Sequence, residues 1–276
     1  MDGAWSFLIG SSGFHQGYQN PLAAYVLSTV SELTPKGATA KEDWSKAVGR
    51  QIEFLTWLQS AEGAFAGGAN NSWNGRYEAG EGPRFYGLAY DWAPVWRDPP
   101  SNRWFGFQAW GIERLAEYYY VSKDAKVKPL LDKWVKWALE HTTIDGADYQ
   151  FPSDLSWSGK PGGDWTSSSS TVSNSGLHVT VENYTNDIGV AGSYAKLLTY
   201  YAAATGDEAA AEAAKGLIDG IMQYEDEQGY SLPETRKDYN RFGPVTGDNK
   251  LYIPSGFTGK MPNGDTIDSK SSFISI

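Results

Sequence analysis

Among the carboxylates in loops or at loop–helix junctions, seven are candidates for chemistry: Glu62, Glu78, Asp91, Asp98, Asp154, Asp164 and Asp187. Hydrolysis of a glycosidic bond needs two such groups, one acid and one base or nucleophile. Each also has an ordinary use. Asp154, in "PSDLSW", fits a proline turn in which an Asp bonds its own backbone. Asp187, in "NYTNDIGVAG", stands at a helix entrance, where a side-chain oxygen caps free N–H groups. Asp98 precedes two prolines and suits a loop anchor or a hard cation, although one carboxylate does not make a calcium site. The histidines, His15, His141 and His178, match no common metal spacing. Cysteine is absent, which removes disulfides, thiolate zinc sites and cysteine nucleophiles together. "GAFAGGAN" (63–70) lacks the strand–loop–helix order of a phosphate loop, and no Gly-x-Ser-x-Gly elbow supports a serine nucleophile.

The second group able to do chemistry is aromatic. The 276 residues include 12 Trp, 17 Tyr and 11 Phe. A pyranose offers C–H groups on its faces and hydroxyls at its edge. A Trp or Tyr ring can cover the face while polar groups bond the edge. An aromatic-rich core would use the same residues, and composition alone leaves both open. A net charge of −10 argues against a nucleic-acid partner, which would need a basic surface. No apolar run reaches the roughly 18 residues of a membrane-spanning helix.

The elements that would position these groups are mostly helical. Apolar periodicity predicts helices over 21–30, 44–59, 107–121, 128–140, 189–204 and 208–223. Pro21 suits a first helical turn, Gly206 a helix stop and Asp207 the next N-cap. Short junctions near 122–127 and 205–207 predict antiparallel hairpins. Residues 60–106 and 141–188 read as long aromatic loops, with short strands at 177–182 and 250–254. No repeat recurs at a fixed period. The apolar ends, "MDGAWSFLIG" and "SSFISI", read as a piece of a longer domain. The architecture expected is an all-α toroid of helical hairpins, with loops gathered at one end into a cleft.

Seven ordered blocks carry a resemblance. They are "IGSSGFHQGYQNPLAAYVLS" (9–28), "QIEFLTWLQSAEGAFAGGANNSWNGRYE" (51–78), "FYGLAYDWAPVWRDPPSNRWFGFQAWGIERLAEYYY" (85–120), "LLDKWVKWA" (130–138), "PSDLSWSG" (152–159), "DIGVAG" (187–192) and "IPSGFTGKMPNGD" (253–265). On these the chain resembles the family 48 glycoside hydrolases, processive cellulases of cellulose-degrading microbes. The resemblance implies an (α/α)6 barrel, here partial, with 1–276 a single truncated piece from the C-terminal part of the catalytic domain. It implies an inverting cellulose 1,4-β-cellobiosidase that works from reducing ends and is secreted. The alternatives are a chitin-active member of the family or a non-catalytic carbohydrate-binding protein.

The implied site residues follow from the same matches. Trp5 and Tyr18 match aromatics lining a glucan tunnel, with Tyr18 near the cleavage point in a positioning role. Trp104 and Trp110 match stacking platforms for glucose rings. Trp157 matches an aromatic on the product side, and Asp187 a polar contact to the sugar. Trp96 stands where the family often has Tyr, and Trp73 is a further substrate-binding candidate. Asp98 matches a ligand to a structural calcium; no cofactor is implied for the chemistry itself. "SSGFHQ" keeps one His where the family pattern often carries two. The family's general-acid Glu and proposed base Asp are expected upstream of residue 1, so this polypeptide alone is expected to be inactive. Implied partners are cellulose or cello-oligosaccharide, with cellulosome or cellulose-binding-module attachment outside the chain, and neither nucleic acid nor membrane. Asn70 and Asn183 open Asn-x-Ser/Thr sequons.

Overall fold

A computed structural model describes residues 13–71, 80–94, 102–166, 172–227, 229–232, 255–260, 264, 266–268 and 271. The chain divides into two compact units, Met1–Ser231 and Leu232–Ile276.

The first unit carries six described α-helices: α1 (Pro21–Thr29), α2 (Ala40–Leu58), α3 (Phe105–Ser122), α4 (Lys128–Glu140), α5 (Ile188–Thr205) and α6 (Glu208–Met222). Their ends follow local chemistry. Asn20 caps α1, its Oδ1 accepting from the Ala23 N–H at 3.1 Å, and Pro21 takes the first turn, where no N–H is missed. Gly206 ends α5 in the left-handed region at φ 80°, and Asp207 then caps α6 through the Ala210 N–H at 2.9 Å. Helix α2 starts four residues before its apolar stripe, with Glu42 and Asp43 in its first turn against the positive helix end.

Helices α1, α3 and α5 run parallel, as their pairings show. Tyr25 of α1 meets Tyr118 of α3, while Gly17, just before α1, bonds Arg114 one turn earlier. Along α3 and α5, Glu113 pairs with Lys196, Glu117 with Tyr200, and Lys123 with the Ala204 carbonyl. Both numbers rise together, so the N-termini of α3 and α5 lie at one end.

The expectation of an all-α (α/α)6 barrel is overturned. Thirteen short strands accompany the helices among the described residues. In the first unit, β1 (Gly13–His15), β2 (Gly68–Asn70), β3 (Arg84–Phe85) and β4 (Leu88–Asp91) form an antiparallel sheet in the order β1-β2-β4-β3. A second sheet joins β5 (Thr143–Asp145), β6 (Asp148–Pro152) and β9 (Tyr184–Thr185). Strands β7 (Leu155–Ser158) and β8 (His178–Val181) pair with Trp157 opposite Val179, and β10 (Glu225–Asp226) pairs with β11 (Gly229–Tyr230). These strands are two to five residues long. Most are too short for a period of two to show over a helical background. The expected strand at 177–182 is β8, and the one at 250–254 lies outside the described residues.

An aromatic core holds the first unit together. Phe105 stacks on Trp134 at 5.9 Å and 21°, and meets Tyr194 edge-on at 5.6 Å. Trp57, Trp137, Phe65 and Phe151 are likewise fully buried. Such rings bury large areas and prefer offset or edge-to-face contact. The second unit shows one described hairpin, β12 (Thr258–Lys260) with β13 (Thr266–Asp268).

Candidate functional site

A second group of rings is not buried. Tyr18 is 55% exposed and Trp110 is 38% exposed. Phe107, itself buried, lies between them: Tyr18 meets it at 5.3 Å and 82°, and Trp110 at 5.8 Å and 87°. Trp104 meets Trp110 at 4.9 Å and 90°. These rings form one continuous face at the N-terminal end of α3.

Close backbone approach builds the face. Residues Gln16–Tyr18 form a 3-10 turn that rides directly on α3. A Cβ on Gly111 would stand 2.7 Å from the Gln16 carbonyl oxygen, and one on Gly17 would stand 2.6 Å from the Phe107 ring. Glycine at both places therefore sets how near Tyr18 comes to the helix. The Trp104 indole folds over Gly106, where a Cβ would fall 2.4 Å from the ring.

His15 fixes the turn. Its Nδ1 accepts the Gly17 N–H at 3.1 Å, and its ring packs edge-on to Phe107 at 4.6 Å. Burial lowers the imidazole to about 4, with the Asn102 backbone working weakly the other way. The ring is neutral at ordinary pH and acts as a structural cap.

Backbone bonds tie the β7–β8 hairpin to the same helix end. The Phe105 N–H donates to the Ser153 carbonyl at 2.7 Å, and the Leu155 N–H to the Arg103 carbonyl at 2.8 Å. Trp157, on β7, donates its Nε1–H to the Trp92 carbonyl at 3.1 Å. The Arg103 guanidinium lies 5.3 Å over the Trp92 ring. Trp92 is 44% exposed, and "YDWAP" gives no sequence signal for it beyond one more tryptophan.

Each described loop carboxylate has a local partner. Glu62 clamps the outer edge of β8, accepting from His178 Nδ1 at 2.7 Å and from the Val179 N–H at 2.9 Å. Burial works to raise its carboxyl, but these bonds outweigh that and hold it below the ordinary value. Asp91 is buried on β4 and accepts from Asn70 and from the Ala93 N–H at 2.9 Å. Burial pushes its carboxyl up against the pull of those two bonds. Asp164 accepts the Arg84 N–H at 2.8 Å. Asp187 caps α5 through the Val190 N–H at 2.9 Å and is solvent-exposed. It stands at the same helical end as Trp104. Asn70, buried in β2, cannot carry a glycan in this fold, whereas Asn183 is exposed.

Trp5, Trp73, Trp96, Glu78 and Asp98 lie outside the described residues. Among the described residues no group of three or more His, Asp or Glu side chains could hold a metal ion.

Comparison with known proteins is consistent in kind. A family model described as Glycosyl hydrolase family 48 matches residues 1–276. Exoglucanase B of Cellulomonas fimi is 51% identical over 278 residues, covering 99% of this chain and 25% of the relative. Endoglucanase F of Ruminiclostridium cellulolyticum is 49% identical, covering 100% of this chain and 38% of the relative. Cellulose 1,4-beta-cellobiosidase (reducing end) CelS of Acetivibrio thermocellus is 44% identical, covering 99% and 38%. The chain thus spans between a quarter and two fifths of the length of these curated relatives.

Proposed function

The chain belongs to glycosyl hydrolase family 48, and from that premise we propose that it is part of a cellulose-degrading glycosidase whose residues 1–276 hold the glucan rather than cut it. The finer activity is release of cellobiose from reducing ends, processively and with inversion. The relatives' names, exoglucanase and reducing-end cellobiosidase, support this reading. An insoluble polymer as substrate supports a secreted enzyme.

One observation carries the assignment to a glucan: two solvent-facing rings, Tyr18 and Trp110, share one face with Trp104 and Phe107. Exposed rings in a group this tight cost free energy unless a ligand covers them. Trp104 and Trp110 stand at right angles, so they cannot sandwich one sugar between parallel plates. They form a corner instead, with one ring as floor and the other as wall. Asp187, exposed at the neighbouring helix end, offers one carboxylate oxygen for the cap and keeps the other for a hydroxyl.

Inverting hydrolysis needs two carboxyl groups roughly 6.5–9.5 Å apart with water between them. We assign that pair to parts of a longer catalytic domain outside 1–276. The test is product analysis on amorphous cellulose and on chitin. Residues 1–276 alone should bind cello-oligosaccharide and release no cellobiose, while the complete enzyme releases cellobiose from cellulose. Cellobiose release by 1–276 would contradict the division of labour, and preferential attack on chitin by the complete enzyme would contradict the substrate.

A further inference from the structure

Asp154 stands directly opposite Trp104 in a two-residue antiparallel bridge. The hydrogen bonds run from Phe105 to Ser153 and from Leu155 to Arg103, one residue either side. Trp104 and Asp154 are therefore a non-hydrogen-bonded pair, the kind in which facing Cα atoms come to about 4.5 Å and side chains emerge together on one face. The chain has placed a carboxylate beside the indole at the corner.

This carboxylate is not used to build its own turn. The backbone does that work: the Asp154 carbonyl accepts the Glu182 N–H at 2.8 Å and the Asn183 N–H at 3.3 Å. The side chain instead takes the Asn183 amide, Nδ2 to Oδ2 at 3.2 Å. This corrects the expectation that Asp154 bonds its own backbone. Both residues are exposed. Oδ1 of Asp154 is left to accept from a donor in solvent, and donating Nδ2 to Asp154 leaves the side-chain Oδ1 of Asn183 as a second acceptor.

We propose that Asp154 and Asn183 form a hydrogen-bonding pair for the hydroxyl edge of the sugar ring that stacks on Trp104, and so set specificity at that position. A flat apolar plate with acceptors at its rim is what a glucose unit requires. Two acceptors a fixed distance apart favour a ring with neighbouring equatorial hydroxyls over one in which a hydroxyl is replaced by hydrogen. An unmatched buried acceptor then costs affinity. The proposal rests on the reading of the aromatic face as the glucan site.

The experiment is a titration of the protein with cellotetraose, followed by tryptophan fluorescence and checked by calorimetry, with thermal melting run on each variant. Asp154→Ala should weaken binding about tenfold, the scale of a hydrogen bond to a charged group. Asn183→Ala should weaken it several-fold. The double variant should lose little more than Asp154→Ala alone, because the two act as a unit. Asp154→Asn, which keeps an acceptor and the volume, should recover most of the loss, and melting temperature should stay near that of the parent throughout. Trp104→Ala is the control. If it abolishes binding while Asp154→Ala and Asp154→Asn bind within twofold of the parent, the pairing is wrong and the face stands. If Trp104→Ala also binds like the parent, the face itself is wrong and the proposal falls with it. If Asp154→Ala melts well below the parent and Asp154→Asn does not regain binding, the residue is structural and the proposal is overturned.

Discussion

Phe105 and Phe107 are two residues apart on α3, yet their surroundings differ completely. Phe105 faces Trp134, Trp137, Phe151 and Tyr194 and is fully buried. Phe107 faces His15, Tyr18, Trp104 and Trp110, three of which belong to a surface open to water. The rings lie at similar spacing, but Phe105 stacks on or tilts against three partners and meets Tyr194 edge-on, whereas all four partners of Phe107 are edge-on. What separates them is the partner. The first is covered by α4, α5 and β6, so its rings supply stability. The second is covered only by a 3-10 turn that glycine allows to approach, so its outer rings stay available to a ligand. The same residue type at the same helix end therefore does two jobs, sorted by helical phase.

The comparison breaks most visibly in the core. Phe105→Ala should cost about 3–5 kcal/mol, because it empties a site lined by four rings. Urea denaturation would show a lower midpoint, and cello-oligosaccharide affinity of the remaining folded protein should be unchanged. A variant that keeps its stability but loses the ligand would invert the assignment of the two clusters. Trp110→Ala should do the opposite: affinity falls by about 2 kcal/mol, as for a stacking platform, with only a small change in stability. Gly106→Ala sharpens the contrast, since no ring is removed. Its Cβ would meet the Trp104 indole at 2.4 Å and tilt it. A several-fold loss of affinity is expected, and parent-like binding would mean the orientation of Trp104 is unimportant.

The smallest effect is one of pH. Glu62 holds the edge of the hairpin that carries Trp157, and its carboxyl sits below the ordinary value in the folded state. A depressed carboxyl contributes stability that is present above its unfolded value, about 4.5, and is lost as pH falls through the folded value. The group is partly exposed, so the contribution stays within about 1 kcal/mol. Protection of the Val179 amide from hydrogen exchange, relative to its intrinsic rate at each pH, should fall below about pH 4.5, and Glu62→Gln should lower it at neutral pH. Exchange that ignores both would remove the clamp from the account.

Much of this was legible beforehand where the signal is local. Helices α4, α5 and α6 begin and end within a residue of the periodic stretches, because Gly206 and Asp207 punctuate the chain. Asp187 as a helix cap also follows from near neighbours in sequence. Apart from β8, the described strands did not show, since β1, β2 and β4 are short and are assembled from segments far apart in the chain. Nor could the tryptophans be sorted into core and surface. Trp134 and Trp110 look alike in sequence, and only packing against Phe105 or against Trp104 separates them. The roles of Glu62 and Asp154 depend on His178 and Asn183, partners 116 and 29 residues away.

The central claim is that the exposed rings at the start of α3, and not the buried ones, hold the glucan. A crystal structure of the protein with cellotetraose bound tests it most directly. A glucose ring lying on the face of Trp104 or Trp110, with Tyr18 in contact with the chain, is the predicted result. Sugar bound elsewhere, with Trp104 and Trp110 bare, would contradict it.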